Sequence, residues 1–336
     1  MHGVLLVNLG TPDSTSESDV KRYLSEFLLD GRVIDVPWLQ RNLLVRGAII
    51  PNRYKASAAA YESIWTEEGS PLLVNSEKIA TKLQERLGLE YRVVLAMRYQ
   101  NPSMKRGLKM LEGCEKLTVI PLFPQYASAT TGSIIELLFE QMKTFKTFPE
   151  MHICNSFPTN PGFIQAAAKR APDLDEYDVV MSFHGLPVRQ LESSCLKDNC
   201  CKRNNQCYRS QCFATAKAIG EELGRLDYHV SFQSRLGKEP WLEPFTSDVL
   251  RSLAQSGKGK VAVFCPSFVC DCLETLEEIA IQYKEEFIQA GGDELLCVPC
   301  VNDHDLFIEG LAKLIYPFTP STSHVCSSLN KRASAV

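Results

Sequence analysis

Val179-Val180-Met181-Ser182-Phe183-His184-Gly185-Leu186-Pro187 reads as a buried strand that ends in a histidine and breaks into a Gly-x-Pro turn. A largely apolar run of this length suits a strand covered on both faces, as in parallel sheets. Open α/β sheets collect their chemistry at the carboxyl ends of such strands. A second run, Val261-Ala262-Val263-Phe264, also ends in a loop and then opens a helix with Asp271-Cys272-Leu273-Glu274-Thr275-Leu276-Glu277-Glu278. Two strand ends are therefore expected to present an imidazole and a set of carboxylates to one cleft.

Outward from these two runs, strand-like segments alternate with helical patterns along the whole chain. The strands are Val4 to Asn8, Tyr91 to Ala96, Leu117 to Pro121, Val179 to Phe183, Tyr228 to Phe232, Val261 to Phe264 and Leu295 to Val298. Segments such as Ser76 to Leu87 and Phe213 to Leu223 carry apolar residues at three-to-four spacing. This alternation predicts βαβ units and a mostly parallel sheet. A faint repeat goes further: Val4 to Pro12 resembles Val179 to Pro187, and Leu117 to Pro121 resembles Val261 to Pro266. The expected architecture is α/β, with two similar halves, each a mostly parallel four-stranded sheet flanked by helices, facing each other across a cleft. The halves are expected at residues 1–150 and 151–316, with a crossover in the Pro-rich stretch near 145 to 160 and a flexible Ser/Thr-rich tail at 317–336.

Composition narrows the function. The 336 residues carry a net charge of −4, which gives no basic footprint for nucleic acid. The start, Met1 to Gly10, has no Lys or Arg before its short apolar run, so it reads as a strand and not a signal peptide. No run is long enough to span a bilayer. The expected place is the cytoplasm, where the 13 cysteines would be thiols or metal ligands in preference to disulfides. A monomer is expected, since nothing advertises a coiled coil or a large exposed patch.

Asp271 followed by Glu274 has the form of an N-cap with its capping-box partner, so part of this cluster serves to start a helix. Glu274 and Glu278 lie one turn apart and share a face, beside the apolar stripe of Leu273, Leu276 and Ala280. An imidazole facing carboxylates suits a general acid/base pair, a divalent-cation site with N and O ligands, or both. Neither GxGxxG nor GxxxxGK[ST] follows a strand, and neither Ser133 nor Ser182 has a nucleophile-elbow context. Proton transfer with a metal and no nucleotide remains. The segment from Lys21 to Leu29, then Val33 to Leu39, reads as an amphipathic helix and an apolar lip able to cover a flat hydrophobic ligand, although core packing accounts for most of these side chains. Arg98 and Tyr99 sit at another strand end, where a guanidinium could hold a carboxylate. Trp241 lies in a proline-rich loop, as a packing anchor unless the ligand is aromatic. Five cysteines, Cys195, Cys200, Cys201, Cys207 and Cys212, crowd one segment, which suggests thiolate-bound iron–sulfur or Zn²⁺.

Together these motifs resemble the ferrochelatases, which insert Fe²⁺ into a porphyrin in the last step of haem synthesis. The resemblance runs from Gly3 to about Leu314. It includes NLGTP at Asn8, YESIWTEEGSPL at Tyr61, AMRYQNPS at Ala96, PLFPQYASATTGS at Pro121, SFHGLP at Ser182, QSRLGKEPWLEP at Gln233 and DCLETLEEI at Asp271. It implies two Rossmann-like halves around a porphyrin cleft, with Fe²⁺ as substrate. His184 and Glu274 would be the inner pair at the metal-insertion site, taking pyrrole protons or binding iron, and Glu278 would lie further along the same face. Leu9 would sit on the opposite porphyrin face near Asp13, Arg98 and Tyr99 would line the pocket, and Trp241 would pack near the macrocycle. Some relatives carry His where this chain has Cys272, and a thiol does not replace imidazole as a base. A [2Fe–2S] cluster would have to use four of the five internal cysteines, with Cys200 and Cys201 not both bound. The substrate expected is protoporphyrin IX, on the strength of the apolar lip at Leu28, Leu29 and Val33, with peripheral membrane contact suggested by so apolar a product. The alternatives are a coproporphyrin ferrochelatase, a related cobalt or nickel chelatase, and a non-catalytic tetrapyrrole or iron carrier.

Overall fold

The computed structural model describes residues 1–191, 207–235, 237 and 239–315. Among these, eight strands form two four-stranded sheets, parallel throughout. The first holds β1 (His2–Gly10), β2 (Tyr91–Tyr99), β3 (Lys116–Pro121) and β4 (Glu150–Ile153) in the order β2-β1-β3-β4. The second holds β5 (Asp178–His184), β6 (Tyr228–Gln233), β7 (Lys260–Phe264) and β8 (Glu294–Cys297) in the order β6-β5-β7-β8. The identical order in both sheets is the physical form of the sequence repeat. β1 and β5 lie centrally and are buried along most of their length, as their apolar runs require.

β4 is the strand that the sequence reading passes over. Glu-Met-His-Ile has no apolar run and alternates polar with apolar residues over only four positions, and it sits at a sheet edge where the ladder to β3 holds it, with Lys116 opposite Glu150. The crossover expected near 145 to 160 therefore contains an edge strand.

Between β1 and β2 the chain builds a lid from α1 (Glu17–Leu28), α2 (Trp38–Leu44) and α3 (Ile50–Ile64), and returns through α4 (Pro71–Leu87). Ser16 caps α1 by accepting from the Asp19 amide, and Glu17 and Asp19 place negative charge in its first turn. α4 starts on Pro71 and stops at Gly88, whose φ of 78° suits a residue without a Cβ. α5 (Met104–Met110), α6 (Ser133–Met142), α7 (Pro161–Arg170), α8 (Tyr208–Glu222), α9 (Thr246–Gln255), α10 (Leu273–Leu276), α11 (Lys284–Gln289) and α12 (Asp305–Leu314) complete the layers.

The largest core joins the halves: Val4, Leu6 and Ile120 share it with Val179, Met181, Phe183 and Phe264. α12 packs on both α7 and α4, and Lys82 and Arg86 of α4 pair with Asp305 and Glu309 of α12. The lid has cores of its own. Val20, Tyr23, Ala58, Tyr61 and Ile64 gather around Tyr99, and Leu28, Ile34, Val45 and Ile50 form a second knot. Leu28 and Ile34 thus pack inside the lid, as do the partly buried Leu29 and Val33. The side chains that stay outward are Trp38, Leu39 and Leu43 on α2, each more than 60% exposed. Among the described residues no helix is long and apolar enough to cross a membrane.

Candidate active site

His184 closes β5 and is held by its backbone. Its amide donates to Ser267 Oγ at 3.0 Å, and its carbonyl accepts from the Tyr208 hydroxyl at 2.7 Å. The ring Nδ1 lies 2.6 Å from the Gly185 carbonyl. A carbonyl only accepts, so this contact assigns the proton to Nδ1 and leaves Nε2 as the basic lone pair. Gly185 runs so close to β6 that an added Cβ would stand 2.8 Å from the Gln233 carbonyl and 3.2 Å from the Trp241 ring. The Gly in the motif is therefore a packing requirement.

The acidic turn differs from its reading as a continuous helix capped by Asp271. The α-helical part, α10, spans only Leu273–Leu276, with Cys272 as N-cap and Thr275 as its capping-box partner. Asp271 instead accepts from the Cys300 amide at 2.9 Å and Asn302 Nδ2 at 2.7 Å. The cap moves one residue along because Asp271 is occupied by the loop after β8, and this releases Glu274 from capping duty. A π-helical turn, Glu278–Tyr283, follows and replaces the regular one-turn spacing assumed for Glu274 and Glu278. Leu273 and Leu276 pack against the lid core, whereas Ile279 enters the core under β7.

Gln233 is the residue that sequence reasoning missed. It pairs in register with His184, its amide nitrogen donates to the Glu274 carbonyl at 2.8 Å and to Glu278 Oε2 at 3.2 Å, and its Oε1 accepts from Ser182 at 2.7 Å. One side chain thus ties the histidine strand to both glutamates. The available signal was a polar residue, 2% exposed, at the end of a buried strand. Glu278 also accepts from the Ser234 amide, the Ser234 hydroxyl and the Tyr283 hydroxyl, at 2.9, 2.5 and 3.0 Å. Its carboxylate is thereby fixed by protein donors. Burial, then the charges of Glu278 and Glu274, raise the pKa of Glu277 above its ordinary value. Burial first raises the Tyr23 and Tyr61 phenols of the lid, with the Glu274 charge next for Tyr23 and Tyr23 ahead of Glu274 for Tyr61; the two rings meet edge to face. The Cys272 thiol is pushed well up by burial and by Glu274, so it acts as a cap and not as a base.

In the first half, Leu9 is half-buried against the lid core. Asp13 is exposed and paired with Arg22 at 2.6 Å and with Asn101 at 3.1 Å. Arg98 lines a cavity but is committed: it donates to Asp30 at 2.6 Å and to Ser133 Oγ at 2.6 Å. A guanidinium able to hold a carboxylate was expected here, and the carboxylate it holds is that of Asp30, which no spacing rule connects to it. Tyr99 is fully buried, with its hydroxyl on Asp30 at 2.8 Å. Trp241 is buried beside Gly185 and bridges to Pro187, and its indole nitrogen has no hydrogen-bond partner among the described residues.

Of the crowded cysteines, Cys195, Cys200 and Cys201 lie outside the described residues. Cys207 is disulfide-bonded, where thiols or metal ligands were expected in preference to disulfides, and Cys212 is wholly buried in α8. A sulfur in a disulfide is not a thiolate ligand. With three of the five candidates outside the described residues, no set of four cluster ligands is assigned, and no step is routed through a cluster. Among the described residues no three His, Cys, Asp or Glu side chains gather as a metal-holding group.

Two matched parallel sheets, with a basic histidine and an acidic turn at strand ends, define a chelatase-type protein. The solved structure of SirB from Bacillus subtilis with Fe³⁺ shares the fold at a TM-score of 0.53 and 11% identity, over 94% of each chain. The ferrochelatase family model matches residues 1–317. A ferrochelatase from Legionella pneumophila (strain Lens) is 44% identical over 324 residues, 93% of this chain and 98% of that one. A ferrochelatase from Pseudomonas entomophila (strain L48) is 44% identical over 330 residues, covering 93% and 97%. This chain belongs to the ferrochelatase family, metal chelatases of haem synthesis.

Proposed function

We propose that the protein inserts Fe²⁺ into protoporphyrin IX, with His184 and Glu274 as the pair that accepts the pyrrole protons and handles the incoming iron. The observation that carries this reading is the Nδ1 contact to the Gly185 carbonyl, which leaves Nε2 of His184 basic while Gln233 couples its strand to Glu274. The overall step releases two protons as Fe²⁺ replaces two N–H groups, so a base must stand beside the macrocycle. A flat porphyrin hides its N–H groups in its plane, and binding between rigid walls supplies the strain that turns the lone pairs outward. Residues 1–150 provide the covering lid and residues 151–316 the inserting groups. Glu278, fixed by four donors, positions the turn, and Leu9 and Trp241 supply apolar walls.

The Trp38, Leu39 and Leu43 patch on α2, with the exposed Arg46 following it, suits peripheral contact with an anionic membrane surface from the cytoplasmic side. The protein acts there as a monomer. The test is an anaerobic assay with Fe²⁺ and either protoporphyrin IX or coproporphyrin III, read by the change of the visible porphyrin bands to those of haem. Preferred turnover of protoporphyrin supports the reading. Preferred turnover of coproporphyrin overturns the substrate, and binding without turnover overturns the enzyme in favour of a carrier.

A further inference from the structure

β7 stops short of His184. The ladder between β5 and β7 has its last pair at Met181 and Phe264, whereas the ladder to β6 runs on to His184 and Gln233. A strand residue that outlasts its neighbour leaves an N–H and a C=O to be paired by other means. Two buried hydroxyls do this: Ser267, from the loop after β7, accepts from the His184 amide at 3.0 Å, and Tyr208, the first residue of α8, donates to the His184 carbonyl at 2.7 Å. The two hydroxyl oxygens lie 3.1 Å apart. A carbonyl only accepts, so the single Tyr208 proton goes to it, and the Ser267 hydroxyl must donate to the Tyr208 oxygen. The result is a closed ring with one direction of donation, from the His184 N–H to Ser267, on to Tyr208 and back to the His184 carbonyl, in which each bond polarises the next. Cys212, one turn along α8, bonds to the same phenol.

The ring fixes more than a strand end. The peptide between His184 and Gly185 is planar, with its carbonyl held by Tyr208 and its N–H by the Gln233 carbonyl at 2.8 Å. With both ends of that plane fixed, the Gly185 carbonyl is delivered to Nδ1, 2.6 Å away. Tyr208 and Ser267 are each only 7% exposed, so water has little access to take the place of a lost hydroxyl. Loss of either hydroxyl therefore frees the plane and lets the imidazole exchange its tautomer. We propose that Tyr208 and Ser267 are positioning residues for iron insertion: their ring of hydrogen bonds holds the His184–Gly185 peptide so that the proton stays on Nδ1 and Nε2 stays the base. The assignment rests on the reading of His184 as the base and adds the groups that set its tautomer.

The test compares wild type with Tyr208→Phe, Ser267→Ala and the double variant by steady-state iron insertion, and by nitrogen NMR of the iron-free protein labelled at histidine, with His184→Ala identifying the His184 signals. A protonated and a bare imidazole nitrogen differ widely in chemical shift, so the spectrum reads the tautomer directly. The ring predicts that wild-type His184 carries its proton on Nδ1, and that each single variant mixes the two tautomers and lowers kcat by about tenfold to a hundredfold, with the protoporphyrin KM unchanged. Because one ring holds both hydroxyls, the double variant should lose no more than the larger single loss. Wild-type kcat in both single variants overturns the proposal. So do additive losses, a fall in kcat with the His184 tautomer intact, or a rise in KM alone, each of which reduces the two hydroxyls to supports of the fold. A wild-type protein that binds porphyrin without inserting iron overturns the reading of His184 as the base and this role with it, an outcome distinct from normal wild-type turnover with unaltered variants.

Discussion

At the scale of the residue, the site depends on how few hydrogen bonds set each group's chemistry. A carbonyl behind His184 decides which nitrogen is basic, and Gly185 exists because β6 and Trp241 leave no room for a methyl group. Gly185→Ala forces that Cβ against a backbone carbonyl, which cannot move aside as a flexible side chain can. We expect a loss of about 1–3 kcal/mol in denaturant unfolding, together with a fall in iron insertion as the His184 turn shifts. Unchanged stability would mean that the turn is looser than its contacts imply. The placement of His184 at a strand end and of Glu274 on an acidic turn was legible in sequence, because strand ends and an acidic helix start have local signatures. Gln233 and Asp30 were not, because their partners lie 41 to 51 and 68 to 103 positions away in the chain.

At the scale of the element, the lid is pinned at its root by one carboxylate. Burial works to raise Asp30, but hydrogen bonds from Ser133, the Arg32 amide and Tyr99, with the Arg98 charge, outweigh it and hold the acid below its ordinary range. A carboxylate whose folded-state value is depressed adds stability above its unfolded value, near 3.8, and loses it as pH falls through the depressed one. The pin should therefore hold across the neutral range and loosen only in strong acid. Asp30→Asn leaves Arg98 without its counter-charge in a site where that side chain is 16% exposed, and should cost about 3 kcal/mol. The same variant should flatten the acid limb of a stability-versus-pH curve; an unaltered limb would show that other carboxylates dominate acid unfolding. Elements with strong periodicity, such as α4 and β5, were readable. The π-helical turn after α10 and the edge strand β4 were not, because the turn owes its shape to its neighbours and the alternation of β4 spans only four residues.

At the scale of the whole molecule, two nearly repeated halves share one core, and the lid of the first reaches the second. Arg189, five residues past His184, pairs with Asp35 of the lid loop at 2.6 Å and with Glu239 at 3.1 Å, while Gln190 approaches the Val33 carbonyl. All three charged side chains are about two-fifths exposed, so the pairs add little to global stability. Arg189→Ala should change the unfolding free energy by less than about 1 kcal/mol, yet speed amide hydrogen exchange in residues 30–44. Equal exchange in variant and wild type would remove Arg189 as a clasp. The repeat and the cleft could be inferred from sequence, because buried parallel strands announce themselves; the clasp could not, since surface charges pair by geometry alone.

The most direct test of the central claim is iron insertion by His184→Ala under anaerobic conditions, measured beside porphyrin binding by the same protein. The account predicts a fall in kcat of about 10²- to 10⁴-fold, with protoporphyrin affinity retained. A variant that makes haem at the wild-type rate would contradict the assignment of His184 as the base.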